Sequence, residues 1–353
     1  MRKMQEFIVK NKSIFVGLED SKKTWKVCVR CERMIVHETS MPTEYENLRN
    51  YLKNKYPGCK IRVMYEAGFQ GFWLHDRLEA DDIDCIVTPP NKVTQEKSNK
   101  VKTDRIDARR LAKNLENMDY VSCHVPDKER REDRQISRTL DQIQKMITAT
   151  KSRIRMFIYY HGLHENLPLG EWKPSDYTRL KALNLCHTLH VSLGVHLKLL
   201  DELVSHRDHL MKELKALCKK ERYQESVHYK KSCPGVGWLS AIRFTLEWGD
   251  LSRFGTGKQI ASYAGLTSRE YSTGDTVRRG RITGQSYERV RAWLIQCAWR
   301  AINIDPVLLS KYQAVWKSSG SKKKAIVAVA RKLVVRMRAL EWTHKPYCSG
   351  VIE

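Results

Sequence analysis

Apolar and polar residues follow two different periods along the first third of the chain. Residues 13–19, Ser-Ile-Phe-Val-Gly-Leu-Glu, form a nearly unbroken apolar run, the pattern of a buried strand. Residues 24–30, Thr-Trp-Lys-Val-Cys-Val-Arg, alternate apolar with polar, as a half-exposed strand does. Residues 34–38 read as a third strand, and short turns join the three into an antiparallel meander. The period then lengthens. Tyr45, Leu48, Tyr51 and Leu52 share one face of a helix over 43–56. A strand at 60–66, a helix around 71–81 and a strand at 84–88 follow. A further helix begins after Thr103, whose hydroxyl suits an N-cap.

From about residue 128 the pattern is helical. Ile136, Leu140, Ile143, Ile147, Thr150, Ile154 and Phe157 are spaced by alternating steps of four and three. Pro168 and Pro174 mark a break. Leu189, Leu193, His196, Leu200, Leu203, Arg207, Leu210, Leu214 and Leu217 then repeat the alternation, a seam of about four heptads. Two arrangements satisfy such a seam: an antiparallel helical hairpin within one chain, or an intermolecular coiled coil that makes a dimer. The last third is mainly helical. Cys233-Pro-Gly-Val-Gly237 before a helix has the form of a helix-hairpin-helix turn, which offers backbone N–H groups to phosphate. A final helix from about Lys322 to Leu340 turns Ile326, Val329, Leu333 and Met337 inward.

The order of the N-terminal elements is three strands, helix, strand, helix, strand, helix. That is the ribonuclease H topology, a mixed sheet flanked by helices. In it Glu19 ends the first strand, Glu66 ends the fourth, and Asp104 and Asp107 open the last helix, so the four acids meet at one sheet edge. Asp104 and Asp107 are three apart and share a helix face, where like charges repel. Acids also favour a helix N-terminus on their own account. Four carboxylates around one point need cations, and two Mg2+ ions would neutralise them and clamp a scissile phosphate. Asp20 competes with Glu19 for the first position, because strand alternation sends the two to opposite faces.

Composition points to a polyanionic partner. Lys and Arg number 64 against 40 Asp and Glu, a formal charge of +24 over 353 residues. Such a surplus opposes compaction and attracts nucleic acid. From residue 226 onward there are 22 basic and 8 acidic residues, so this part supplies 14 of the surplus. The polar loop 89–103 holds Lys92, Lys97, Lys100 and Lys102 beside the acids, and Arg105 and Arg109 follow on the helix. Arg278, Arg279 and Arg281 follow Tyr271-Ser272-Thr273-Gly274, and Lys322, Lys323 and Lys324 open the final helix. All are candidates for backbone phosphate. A hydroxyl attacking phosphorus needs access and nearby positive charge, which Ser272 and Thr273 have. Cys28-Val-Arg-Cys31 lies in a strand, which separates its thiols, so the ten cysteines read as reduced and structural. No run of eighteen apolar residues and no signal peptide is seen, so a cytoplasmic protein without a membrane span is expected.

Several separated stretches together resemble one family. They are Val16-Gly17-Leu18-Glu19, Tyr65-Glu66-Ala67, Lys102-Thr103-Asp104 with Ile106-Asp107-Ala108-Arg109, Pro234-Gly235-Val236-Gly237, Ala264-Gly265-Leu266-Thr267 and Tyr271-Ser272-Thr273-Gly274. In that order they resemble the DEDD transposases of the insertion sequence 110 family, the bridge-RNA-guided recombinases. The resemblance implies a RuvC-like catalytic domain over 10–127, a helical coiled-coil region over 128–225 and a C-terminal transposase domain over 226–353. It implies that Glu19, Glu66, Asp104 and Asp107 bind Mg2+, although the family's first acid is usually Asp. It implies a covalent phosphoserine link to DNA. The family's serine directly precedes the glycine, where this chain has Thr273, and Ser272 lies one place earlier. The implied partners are donor and target DNA, a structured guide (bridge) RNA, and further copies of the chain as a dimer or tetramer whose active sites combine acids and hydroxyl of different protomers. The implied setting is the bacterial nucleoid. Two other classes fit parts of the pattern: a junction-cutting nuclease using water and the acids alone, and a non-enzymatic nucleic-acid-binding protein relying on charge.

Overall fold

A computed structural model of the chain describes residues 9–90, 103–165, 172–271, 273, 276, 278–282 and 288–349. The chain divides into two compact units, Met1–Val125 and Pro126–Glu353.

The first unit is built on a five-stranded mixed sheet. Strands β1 (Ser13–Asp20), β2 (Trp25–Cys31) and β3 (Met34–Met41) form the antiparallel meander. Helix α1 (Tyr45–Lys55) returns the chain so that β4 (Lys60–Glu66) runs parallel to β1. Helix α2 (Trp73–Ala80) does the same for β5 (Asp84–Thr88) beside β4, and α3 (Asp104–Glu116) closes the series. The strand order β3-β2-β1-β4-β5 is compatible with a ribonuclease H-like fold.

Strand alternation gives the sheet two distinct faces. Ile14, Val16 and Leu18 of β1 and Val63 and Tyr65 of β4 pack with Leu48 and Leu52 of α1 and Leu74 and Leu78 of α2. On the other face Phe15, Met64 and Ile86 meet Leu111 and Leu115 of α3, while Cys28 meets Ala108 and Ala112. Cys28 and Cys31 therefore lie on opposite faces, as the alternation of β2 requires, and all ten cysteines are free thiols.

The second unit is mainly helical. Helices α4 (Lys128–Tyr160) and α6 (His187–Leu217) pack through Ile147, Ile154 and Ile158 against Leu193, Leu197, Leu200 and Leu203, with the short α5 (Pro174–Lys181) between them in sequence. Leu140, early in α4, clusters with Leu214 and Leu217, late in α6, so the pair is antiparallel within one chain. The pattern departs from the expected register at two steps, the first in α4, where Ile158 is buried and Phe157 only half-buried. At the second, in α6, Leu197 is buried, while His196 is only half-buried. Steps of four then three, rather than three then four, put leucine in the interior and spare the imidazole desolvation. Beyond α6 come α7 (Glu221–Ser232), α8 (Trp238–Trp248), α9 (Gly257–Tyr263), a hairpin of β6 (Ser268–Glu270) and β7 (Arg279–Ile282), α10 (Glu288–Ala301), α11 (Pro306–Ser319) and α12 (Lys322–Thr343). Helix α12 buries Ile326, Val329, Leu333 and Met337, as its periodicity predicts. Residues 128–225 and 226–353 belong to this one unit. No helix among the described residues is long and apolar enough to cross a membrane.

Candidate active site

The acids at the sheet edge are placed by register and parity. Leu18 of β1 stands opposite Tyr65 of β4, so the next step sets Glu19 beside Glu66, the last residue of its strand. Both share the parity of Phe15 and Met64, hence the face covered by α3. Thr103 caps α3 by accepting the Ile106 N–H at 3.4 Å, which fixes Asp104 and Asp107 in the first turns. Asp107 is buried and Asp104 exposed. Asp20 has the opposite parity and packs, 7% exposed, on the face of Tyr65.

Electrostatics ties the four together. The Glu19 carboxyl is pushed up to about 7, first by burial and then by the charges of Glu66, Asp107, Asp20 and Asp104. One carboxyl thus feels all the other acids of the cluster. Asp20 is raised to about 6, mainly by burial, with its own backbone hydrogen bond opposing and Glu66 adding. Burial and like charge both disfavour the ionised forms, and a cation relieves both.

Oxygen donors of this kind suit a hard divalent ion. Asp107 Oδ1 is buried without a hydrogen bond, an acceptor with capacity to spare. As the side chains stand, however, no three His, Cys, Asp or Glu among the described residues close round one point in a metal-holding arrangement. The site fits the ion by donor type and position, and side-chain rotation is needed to close it. Arg110, which the sequence reading passed over, reaches between two of the acids: its Nη2 lies 2.8 Å from Asp107 Oδ1 and 3.4 Å from Glu66 Oε1. Its spacing of three from Asp107 was the available signal.

The basic candidates are distributed as follows. Lys92, Lys97, Lys100 and Lys102 lie outside the described residues. Arg105 and Arg109 both clamp Glu38 of β3, Arg105 Nη2 at 2.6 Å and Arg109 Nη2 at 2.7 Å from Oε2. Their guanidinium groups, Arg109's hydrogen bonds foremost, hold the Glu38 carboxyl down at about 2. Glu38 is a second residue the sequence reading missed, since nothing in β3 marks it as a partner for a helix some seventy residues on. Arg278 and Arg281 are exposed on the β6–β7 hairpin, and Arg279 opens β7. Lys322, Lys323 and Lys324 are exposed at the start of α12, with Lys322 Nζ 5.2 Å over the Trp316 ring.

Strands β6 and β7 form a hairpin that no alternation in the sequence marks. Tyr271 donates its N–H to the Arg278 carbonyl at 2.8 Å, and Thr273 and Thr276 exchange backbone hydrogen bonds at 3.2 Å. These bonds carry the ladder past β6 and leave Thr273 exposed. Ser272 and Gly274 lie outside the described residues. In the turn 233–237, Gly235 takes φ +76° and its Cα presses on α10: a Cβ there would fall 2.3 Å from the Cys297 carbonyl. Gly235 therefore serves helix packing. Gly237, at the N-cap of α8, has open space around it.

Comparisons with known proteins identify the family. A family model for the DEDD transposase of IS110 elements matches residues 16–159, and one described as Transposase IS116/IS110/IS902 family matches residues 228–313. Two putative transposases of Sinorhizobium fredii, y4qE and y4rJ, are each 27% identical, over 79% and 92% of this chain and 75% and 91% of their own lengths. The transposase for insertion sequence element IS1533 of Leptospira borgpetersenii is 23% identical over 72% of this chain and 75% of its own. The DEDD match implies a divalent-metal-dependent, nuclease-like domain. The chain belongs to the IS110 family of DEDD transposases, enzymes that act on DNA.

Proposed function

We propose that this transposase is an RNA-guided DNA recombinase that cuts, exchanges and rejoins strands through a covalent link between a side-chain hydroxyl and DNA phosphate. The observation that carries this reading is the gathering of Glu19, Glu66, Asp104 and Asp107 on one face of the sheet edge, close enough for Glu19 to be raised by the other three. Glu19, rather than Asp20, is the first of the four, because its parity turns it toward α3. These acids would hold divalent cations, two Mg2+ in our reading, which supply positive charge against the phosphate when bound.

Ser272 is the nucleophile in this reading and Thr273 the alternative hydroxyl. Its oxygen bonds to phosphorus, the bond from phosphorus to one deoxyribose oxygen breaks, and the hydroxyl proton ends on that leaving oxygen. Reversal against a second strand end rejoins DNA without free ends. Arg278, Arg279 and Arg281 of the same segment would offset charge on the phosphate. The lysines of 91–102, the exposed Arg105 and Lys322–Lys324 would hold nucleic-acid backbone, while Arg109 is engaged by Glu38. A structured guide RNA, paired with donor and target DNA, would supply most of the sequence choice, the protein reading backbone and shape. In function the chain would divide into a RuvC-like part, 10–127, a helical assembly part, 128–225, and a transposase part, 226–353, working as a dimer or tetramer at the bacterial nucleoid.

Trapping tests the reading. The protein is incubated with its guide RNA and labelled donor and target duplexes, then denatured and resolved on a gel. A covalent protein–DNA adduct is expected, lost in the Ser272→Ala, Thr273→Ala double variant. Cleaved DNA with no adduct, indifferent to both substitutions, would establish a water-using nuclease instead. Undiminished adduct formation in Asp104→Asn and Glu66→Gln would remove the acids from the chemistry, and neither adduct nor cleaved DNA under any condition would leave only nucleic-acid binding.

A further inference from the structure

Arg110 stands inside the acid cluster. Its side chain is 19% exposed, and its partners Asp107 and Glu66 are 6% and 21% exposed, so the contact is largely shielded from solvent. Helical spacing puts Arg110 one turn beyond Asp107, and the end of β4 brings Glu66 to the same guanidinium. The pairing is incompletely bonded. Arg110 Nε is buried without a hydrogen bond, and so is Asp107 Oδ1 despite the guanidinium at 2.8 Å. Arg109, its neighbour, makes two hydrogen bonds to a single carboxylate, Glu38. The contrast separates a fully formed structural clamp from a cation that spans two acids and leaves its own Nε and Asp107 Oδ1 without hydrogen bonds.

We propose that Arg110 is a displaceable counter-cation for the Glu66–Asp107 pair: it holds these carboxylates while no metal is bound and must leave them when a divalent ion takes the same oxygens. The proposal rests on the reading of the acids as metal ligands. The guanidinium contacts the very oxygens an ion would take, so the two cations repel and compete for them. Arg110 thereby acts as a positioning residue that sets how much metal the site requires. Two consequences distinguish it from an ordinary ion pair. Removing its charge tightens metal binding, because nothing has to be displaced. It also destabilises the metal-free protein, because the buried Asp107 and the half-buried Glu66 then face each other, so the stabilisation gained from metal grows on both counts.

The experiment uses the full chain without nucleic acid, with Mn2+ as probe. Free Mn2+ is read by its paramagnetic resonance, and melting is followed with and without Mg2+. The Arg110→Gln variant is expected to bind Mn2+ roughly tenfold more tightly than wild type, while Arg110→Lys, which keeps the charge, stays near wild type. Arg110→Gln should also melt lower without metal and gain more from Mg2+. Equal or weaker Mn2+ binding by folded Arg110→Gln overturns the proposal, and if Asp107→Asn still abolishes binding, the metal reading survives alone. No saturable Mn2+ binding by wild type or Arg110→Gln overturns both together. Should Arg110→Gln fold only with metal, displacement is supported; failure to fold in either condition makes Arg110 a structural ion pair and sinks it.

Discussion

Gly17 of β1 and Ala108 of α3 meet backbone to backbone: a Cβ built on Gly17 would fall 2.1 Å from the Ala108 carbonyl oxygen and 2.4 Å from the Ala112 nitrogen. Gly17 lies two residues before Glu19, and Ala108 directly follows Asp107. The same close approach that packs the helix on the strand therefore sets the spacing of the acids. Gly17→Ala cannot be absorbed by a flexible side chain, because the obstructing atoms are backbone. It should cost about 3 kcal/mol of stability through overpacking. It should also weaken Mn2+ binding by the full chain, since α3 must move away from β1. Urea denaturation and Mn2+ titration of the same preparation check both, and wild-type behaviour in the two would separate the glycine from the site.

Glu19 and Asp20 are neighbours in opposite settings. Glu19 lies among the other acids on the α3 face, whereas Asp20 is packed on the far face with Oδ2 lacking a hydrogen bond. Glu19→Gln is expected to reduce strand transfer by about a hundredfold or more, the scale of losing one electrostatic contact to a transition state, with little change in melting. Asp20→Asn should do the reverse, shifting stability while strand transfer stays within severalfold of wild type. Paired assays of adduct formation and melting read the two effects. An Asp20→Asn variant that is stable but inactive would move the first ligand to Asp20.

Much of this was legible in the chain because the signals are local. Parity in β1 and β4, the Thr103 cap and the change of period after residue 41 are all written in neighbouring residues, and they suffice for the sheet, for α3 and for four acids at one edge. The contacts that were not legible join distant residues by shape. Glu38 reveals itself only when β3 and α3 come together, and Arg110 only when Glu66 arrives from another strand. The β6–β7 hairpin was hidden for a different reason. Its strands are three and four residues long and polar, so alternation has too little length to show. His196 and Leu197 differ by one place on a helix, where a three-four and a four-three step fit the same seam.

Glu38 gives the first unit a defined response to acid. Its carboxyl is held at about 2 by hydrogen bonds from Arg109 and then Arg105, against an ordinary 4.5. The folded state thus favours the ionised form. The stabilisation is fully present above pH 4.5 and is lost as pH falls through about 2. Arg105 is 65% exposed, so solvent screening reduces the contribution to about 1–2 kcal/mol. Glu38→Gln should therefore lower the melting temperature at pH 7 and flatten its fall between pH 4.5 and 2.5. A wild-type and Glu38→Gln pair with parallel pH profiles would show that the clamp does not stabilise the fold.

In the second unit the test falls on a fully buried lysine. Lys230 of α7 has no exposed surface, pairs with Glu341 of α12 and donates to Ser226 Oγ at 2.6 Å. Glu341 also accepts the Leu251 N–H at 3.0 Å through its other oxygen. Burial pulls the Lys230 pKa down, and the Glu341 charge opposes that pull. Removing one partner leaves the other charged and dry, so Lys230→Met and Glu341→Gln should each cost about 3–5 kcal/mol. The double variant Lys230→Met, Glu341→Gln removes both charges and keeps an acceptor for Leu251. It should recover most of the loss, because a buried ion pair contributes little beyond the desolvation it offsets. Urea denaturation of the four proteins gives the coupling directly. Losses that simply add would mean that Lys230 and Glu341 stabilise the unit separately, through Ser226 and Leu251, rather than through each other.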